Sequence, residues 1–212
     1  MRRELTAKGK ATRHRIVEGA AATLRENGVG SVTLDDIMAR TSTSKSQLFH
    51  YFPGGKDELL LAVAHYEADQ VLEDQQPYLG CLDSWENWER WRDVVVARYE
   101  ILGDTCPLGS LFLQVGRSTP GARAIVAELM RRWQESLAAG IRALRAAGGP
   151  SAEFPSAEFD VDARAAALLA AIQGGVSILL ATGRSDHLRA ALDQGLADLR
   201  RDLTPAGAAT PR

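Results

Sequence analysis

The chain has 212 residues, 45% hydrophobic and 25% charged, a composition that fits a globular protein of one or two domains and excludes a fibrous or disordered chain. Ten basic and five acidic residues give segment 1–56 a charge of +5, whereas 15 basic and 22 acidic residues give segment 57–212 a charge of −7. This asymmetry favours nucleic-acid binding at one end and opposes an architectural protein, which needs basic charge over its whole surface.

The first predicted helix runs from Lys10 to about Asn27 and ends at Gly28 and Gly30. Its apolar residues recur at three- and four-residue spacing and form one stripe, namely Ile16, Val17, Ala20, Ala21 and Leu24. Such a stripe predicts a helix with a single buried face.

Two short helices are predicted next. Thr33 is a good N-cap for the first, with Asp36 placed as the reciprocal carboxylate of a capping box. The polar run TSTS predicts a tight turn, and KSQLFHYF predicts the second short helix, which Pro53 and two glycines end. Three helices, the last two short and joined by a tight turn, outline a helix-turn-helix.

Longer helices are predicted beyond Lys56, and no segment alternates like a strand. They cover approximately residues 56–76, 84–103, 108–117, 120–147, 161–183 and 185–203. Segment 148–160 has the composition of a linker, and 206–212 is expected to be a disordered tail. The sequence therefore predicts an all-α fold, with a three-helix helix-turn-helix domain at 1–56 and a helical domain at 57–205.

The order of VTLDDIMART, the polar turn and SKSQLFHYFPGGKDEL resembles the N-terminal signature of the tetracycline-repressor (TetR) family of bacterial regulators, over about residues 10–65. The strings YFPGGKDEL and CPLGSL are further similar to its LmrA/YxaF branch. The resemblance implies a dimeric transcriptional repressor that binds palindromic operator DNA and is released by a small molecule. Two residues depart from the pattern: Ser42 stands at the usual turn glycine, and Phe49 at the usual tyrosine.

The third predicted helix has the character of a recognition helix, because Leu48 and Phe52 anchor one side and polar groups occupy the other. Gln47 is expected to pair bidentately with adenine, and Lys45 to reach guanine or a phosphate. The predicted DNA-binding residues are Thr33, Ser44, Lys45, Ser46, Gln47, His50, Tyr51 and Lys56. Of these, Thr33, Tyr51 and Lys56 match family positions that contact the phosphate backbone; from the basic arm, Lys8, Lys10, Arg13 and Arg15 are added. The alternative is that Phe49, His50 and Tyr51 are core aromatics.

The last two predicted helices, about residues 160–203, are expected to build a homodimer. The first is rich in Ala and Gly, which allows close helix approach. The second repeats leucines at Leu188, Leu192, Leu196 and Leu199. The alternative is that this leucine stripe packs inside its own subunit.

The middle helices concentrate the aromatic residues and are expected to line an apolar small-molecule site. The predicted ligand-binding residues are Trp88, Trp91, Tyr99, Cys106, Phe112, Trp133 and Gln173. This composition favours an apolar or flat aromatic effector. Plain core packing is the alternative for each aromatic residue, and a redox-sensing role is the alternative for the two cysteines, Cys81 and Cys106.

Enzymatic activity is not expected, because the chain offers no glycine-rich phosphate loop, no metal-ligand cluster and no nucleophile–base pair. Catalytic residues, metal ions and cofactors are accordingly not predicted. The apolar stretch Ala165–Ala181 falls short of the roughly 20 residues that span a bilayer, and no secretory signal is recognised, so a cytoplasmic protein without membrane association is expected. The remaining alternative is a helical small-molecule-binding protein or enzyme without a role on DNA.

Overall fold

The computed structural model describes residues 5–103, 106, 109, 119–148 and 159–203, and every regular element in these ranges is helical. In chain order the α-helices are α1 (Ala7–Asn27), α2 (Leu34–Thr41), α3 (Lys45–Tyr51), α4 (Gly55–Glu73), α5 (Trp85–Leu102), α6 (Pro120–Ala147), α7 (Val161–Thr182) and α8 (Asp186–Asp202). A 3-10 turn, Tyr78–Gly80, lies between α4 and α5. The all-α prediction is confirmed. The predicted helix 108–117, most of the 148–160 linker and the 206–212 tail lie outside the described residues.

The described residues divide into two compact units. The N-terminal unit holds residues 5–71 with 106, 109 and 119–129, and the C-terminal unit holds 72–103, 130–148 and 159–203. Helices α4 and α6 contribute residues to both units.

Helix α1 begins three residues earlier than the apolar pattern indicated. Thr6 is its N-cap, and the Thr6 hydroxyl accepts a hydrogen bond from the Gly9 backbone N–H over 3.2 Å. The predicted stop is confirmed, because Gly28 closes the helix with a φ of +81°, a conformation that glycine adopts without strain. The predicted stripe is the buried face of the helix, and Ile16, Ala20 and Leu24 have no solvent exposure.

The turn between α2 and α3 is fixed from within the N-terminal unit. The Thr41 hydroxyl donates to the Ile37 carbonyl over 2.7 Å, and the Thr43 hydroxyl donates to the Thr41 carbonyl over 3.2 Å. From α1, the Arg15 guanidinium donates to that same Thr41 carbonyl. Ser42 takes the left-handed conformation, with φ +48° and ψ +46°, which a serine adopts only against a steric penalty.

In the C-terminal unit, α7 and α8 approach each other closely at two glycines. A Cβ atom built on Gly175 would lie 2.6 Å from the Cα of Leu188, and one on Gly195 would lie 2.5 Å from a methyl of Leu168. The first contact is with backbone, so the helix spacing depends on glycine at Gly175, whereas at Gly195 only the end of the Leu168 side chain would have to move.

Helix α7 is long and apolar enough, by length and composition, to cross a membrane. Its 22 residues exceed the apolar stretch identified in the sequence, so the argument from insufficient length was wrong. The helix nevertheless packs along α8 in the C-terminal unit, and the core helices of soluble proteins satisfy the same length and composition test. Only 39% of the most apolar 18-residue segment of α7 is buried within the chain, so the helix has an exposed apolar face.

Candidate nucleic-acid interface

Helix α3 has the two-sided character predicted for a recognition helix. Leu48 and the adjoining Phe52 have no solvent exposure and hold the helix on the N-terminal unit. Four predicted DNA-binding residues on the opposite side are exposed: Lys45, Ser46, Gln47 and His50. The helix therefore presents polar groups outward without exposing the apolar anchors that fix it.

The aromatic run after Leu48 is not a core cluster. Phe49 is 39% exposed, His50 is exposed and Tyr51 is half-buried. The His50 and Tyr51 rings meet edge to face, with centroids 4.9 Å apart. The alternative that all three are core aromatics is therefore wrong.

Ser44 and Gln47 form a capping box at the start of α3. The Gln47 backbone N–H donates to the Ser44 hydroxyl over 3.2 Å, and the Ser44 backbone N–H donates to the Gln47 side-chain oxygen over 3.1 Å. Gln47 was predicted only as a residue that contacts a base. The S-x-x-Q pattern was the available signal for its structural role.

A second capping box begins α2, as predicted. The Thr33 backbone N–H donates to the Asp36 carboxylate over 2.8 Å, the Thr33 hydroxyl donates to it over 2.6 Å, and the Asp36 backbone N–H donates to the Thr33 oxygen over 3.3 Å. The hydroxyl bond first, and then the backbone bond, hold the pKa of Asp36 below its usual value. Thr33, which is expected to contact a phosphate, therefore also caps α2.

Lys56 serves the fold of the N-terminal unit. Its ammonium group donates to the Val32 carbonyl over 2.5 Å and lies 3.4 Å from the Val29 carbonyl. It therefore ties the start of α4 to the connection between α1 and α2. Sequence reasoning missed this role, because the contact joins residues 24 positions apart and depends on packing.

Two of the α1 residues that were predicted to contact phosphates make contacts within the N-terminal unit. Arg15 bonds the Thr41 carbonyl, and the Arg13 guanidinium lies over the Phe52 ring, 5.0 Å from its centroid. Between α1 and α4 lies an open cleft of about 520 Å³. Its lining includes Lys10, Arg13, His14, His65, Tyr66 and Asp69.

The predicted ligand-binding aromatics are buried. Trp88, Trp91 and Trp133 have no exposure, Tyr99 and Cys106 are nearly as deep, and Gln173 is half-buried. Phe112 lies outside the described residues. The indole N–H of Trp88 donates to the Leu82 carbonyl and that of Trp91 to the Gln75 side-chain oxygen, both over 3.0 Å, so these two rings are hydrogen-bonded core residues.

Two of the predicted ligand-binding groups differ from that pattern. The indole nitrogen of Trp133 and the amide nitrogen of Gln173 are buried with no hydrogen-bond partner among the described residues. A buried donor without an acceptor is costly, so each of these groups is one that an acceptor atom of a bound molecule would satisfy.

Cys81 and Cys106 are both free thiols, the first exposed and the second buried. In the part of the chain that the structure describes, no cluster of His, Cys, Asp or Glu fits a metal ion.

The leucine stripe of α8 packs inside its own subunit. Leu188, Leu192, Leu196 and Leu199 are all buried. The prediction that these leucines form the dimer interface is therefore wrong, because they pack within the C-terminal unit of the same chain. The outward face belongs to α7, where exposed residues follow a helical spacing: Ala163, Ala167, Ala170, Gly174, Ile178 and Ala181.

A short, capped and exposed helix that follows another short helix and a tight turn has the arrangement of a helix-turn-helix motif. Residues 16–63 match the family model of bacterial regulatory proteins of the tetR family. The match covers α2, α3 and most of α1.

Two sequence relatives are named as HTH-type transcriptional regulators. The chain is 25% identical over 131 residues to the HTH-type transcriptional regulator Rv0196 of Mycobacterium tuberculosis, an alignment that covers 58% of this chain and 66% of that protein. It is 34% identical over 86 residues to the HTH-type transcriptional regulator TtgW of Pseudomonas putida, covering 41% of this chain and 63% of that protein. The chain therefore matches somewhat less than two thirds of the length of each relative.

Solved structures extend the likeness of the fold over nearly the whole chain. A TetR transcriptional regulator from Chloroflexus aurantiacus superposes with a TM-score of 0.74 at 22% identity, covering 95% of this chain and all of that one. The SmeT–triclosan complex superposes with a TM-score of 0.68 at 20% identity, covering 95% and 98%. Residues 16–63 thus match the tetR-family model, and the fold of the chain is similar to that of a solved TetR transcriptional regulator.

Proposed function

We propose that this protein is a TetR-family transcriptional repressor that binds a palindromic operator as a homodimer and leaves it when an apolar or flat aromatic small molecule binds. The observation that carries the proposal is the exposed polar face of α3, held by buried Leu48 and Phe52. Segment 1–56 would be the DNA-binding domain and 57–205 the ligand-binding and dimerisation domain. A position in the LmrA/YxaF branch and a cytoplasmic location are part of the same proposal.

The proposed DNA contacts divide by chemistry. Lys45, Ser46, Gln47 and His50 would face base edges and neighbouring phosphates, because they are exposed on α3. Thr33, Ser44, Tyr51 and Lys56 would position the backbone of the duplex, and three of them already hold the helix starts and the connecting loop. Ordered caps and loops pre-organise these groups, which lowers the entropic cost of binding.

The proposed dimer forms through the exposed face of α7 together with α8. Small residues on α7 let a second copy approach closely, and Ile178 is 37% exposed although it is apolar. A two-fold pairing of this surface would set the spacing of two recognition helices for successive major grooves, about 34–36 Å apart.

The proposed effector site lies among the aromatics of the C-terminal unit. The unpartnered buried donors of Trp133 and Gln173 support a ligand that is largely apolar and carries acceptor atoms. The similar fold of the SmeT–triclosan complex also supports a small-molecule effector. Helix α4 begins next to α3 in sequence and ends in the C-terminal unit, which makes it the proposed route of coupling.

A gel-shift titration tests the proposal. The full-length protein is mixed with duplexes from the DNA that flanks its own gene, and with a scrambled duplex of equal length and composition. We expect tight binding of a site with two-fold symmetry, an affinity that falls steeply with salt, and weaker binding when triclosan is added as the probe. Equal affinity for the flanking and scrambled duplexes would contradict operator binding.

A variant pair assigns the binding to α3. Lys45→Ala removes an exposed cation from the proposed interface, whereas Arg90→Ala removes an exposed cation from α5. We expect only the first to weaken binding, with a smaller salt dependence. Equal effects of the two substitutions would contradict the assignment to α3.

A further inference from the structure

We infer that Gln47 reads a base edge with hydrogen-bond acceptors, guanine before all others, because its amide oxygen is committed to the cap of α3 and only its N–H groups face outward. This rests on the proposed binding of operator DNA by α3. In the proposed contact Gln47 only donates hydrogen bonds, unlike the bidentate adenine contact expected from the sequence.

The orientation of the Gln47 amide follows from its partner. The Ser44 backbone N–H lies 3.1 Å from the side-chain oxygen of Gln47, and a backbone N–H can only donate. The atom opposite it must therefore be the amide oxygen, and the amide nitrogen must be on the other side. The Ser44 hydroxyl, 3.4 Å from the same oxygen, adds to this arrangement.

The amide nitrogen of Gln47 is consequently the end that DNA would meet. The side chain is exposed, and among the described residues the Gln47 nitrogen has no hydrogen-bond partner. The neighbouring residues Lys45 and Ser46 are also exposed, so this turn of α3 presents polar groups to solvent.

The donor and acceptor pattern of the major groove then discriminates among the bases. A bidentate contact to adenine needs the amide oxygen to accept from N6 and the nitrogen to donate to N7. To make both bonds, the amide must turn its oxygen from the Ser44 N–H toward N6, which weakens the cap bond. Guanine presents two acceptors, O6 and N7, to a donor-only group, whereas cytosine presents only a donor. We expect a guanine-to-adenine preference of about two- to thirtyfold, the factor that corresponds to one helix cap.

Selection from a randomised duplex pool tests the inference. The full-length wild-type protein and two variants, Gln47→Glu and Gln47→Ala, are each used to select bound sequences, and thermal unfolding is recorded for all three. Glutamate keeps an oxygen acceptor for the Ser44 N–H, so Gln47→Glu should be at least as thermostable as wild type. It has no donor, and a carboxylate accepts from cytosine N4. Alanine removes both the cap acceptor and the donor.

The expected result is one position in each half-site where wild type selects guanine, Gln47→Glu selects cytosine and Gln47→Ala selects no base, with the other positions unchanged. Selection of adenine by wild type at the position that responds to Gln47 would overturn the inference. So would identical preferences in wild type and both variants, which would leave Gln47 a cap only. If wild type enriches no sequence at all, the proposed operator binding itself fails, which is a distinguishable outcome.

Discussion

The guanidinium of Arg25 donates a hydrogen bond to the carboxylate of Glu67 over 2.6 Å and so joins α1 to α4 within the N-terminal unit. The Glu67 side chain has no solvent exposure, and that of Arg25 is 18% exposed. A carboxylate removed from water depends on its cation partner, since burial of an unpaired charge costs several kcal/mol. The pair therefore holds α1 and α4 together within the N-terminal unit.

Removal of Arg25 alone should destabilise the protein more than removal of the pair. We expect Arg25→Met to lower the free energy of unfolding by about 3 kcal/mol, because the buried Glu67 carboxylate loses its ion pair with Arg25. The double variant Arg25→Met/Glu67→Gln should recover part of that loss. Urea unfolding of wild type, both single variants and the double variant measures the coupling, and strictly additive effects would contradict a buried ion pair.

Lowering the pH should weaken the N-terminal cap of α2, because Asp36 becomes protonated. The folded-state pKa of Asp36 is lowered by the Thr33 hydroxyl and backbone N–H, so its contribution to stability is present above the unfolded-state pKa, about 3.9, and is lost as the pH falls through the folded-state value. We expect Asp36→Asn to be less stable than wild type at pH 7 and the difference to shrink below about pH 4. The measurement is the difference in unfolding free energy against pH.

Asp35→Asn is the matched control, because Asp35 is also an exposed acid in the first turn of α2, whereas the capping bonds to Thr33 are made by Asp36. Its effect should vary less over the same range. A constant difference between Asp36→Asn and wild type from pH 7 to pH 3 would show that the carboxylate bonds do not support the fold.

The local parts of this structure were accessible from the sequence. The box between Thr33 and Asp36, and the stop at Gly28, depend on residues within one helical turn, and the pattern of residue types was sufficient to predict them. Thr6 was missed although it obeys the same rule, because the apolar stripe on which the prediction relied begins only later in α1.

The parts that depend on packing were not accessible. Arg25 and Glu67 are 42 positions apart, and no local pattern marks them as partners. The leucines of α8 were assigned to a dimer interface because a stripe shows only that a face is apolar. Periodicity does not tell which surface covers that face, and in the structure it is covered within the same subunit.

The backbone of Ser42, in the turn between α2 and α3, is more strained than that of a glycine at the same position. Its φ of +48° lies in the left-handed region, where a Cβ atom is disfavoured and glycine is not. We expect Ser42→Gly to raise the free energy of unfolding by about 0.5–1 kcal/mol, with relief of strain exceeding the added entropy of the unfolded chain.

Ser46→Gly provides the opposite sign at a helical position of α3. Ser46 is exposed, so the substitution loses only helix propensity, and we expect stability to fall by about 0.5 kcal/mol. Thermal unfolding of both variants separates the effects. A loss of stability in Ser42→Gly would mean that the Ser42 side chain contributes more than its backbone conformation costs.

The exposed face of α7 should determine the oligomeric state. Ile178 is 37% exposed on this face, and burial of an aspartate at a two-fold interface places two carboxylates close together without partners. We expect Ile178→Asp to shift the protein from dimer to monomer in light-scattering measurements and to lower its affinity for a two-fold operator at least about tenfold, because one helix-turn-helix reads only one half-site. Ile101→Asp is the control, since Ile101 is a 78% exposed isoleucine at the end of α5, away from α7 in sequence. If both variants remain dimeric, the dimer does not use the exposed face of α7, and if both become monomeric, the interface extends to the end of α5.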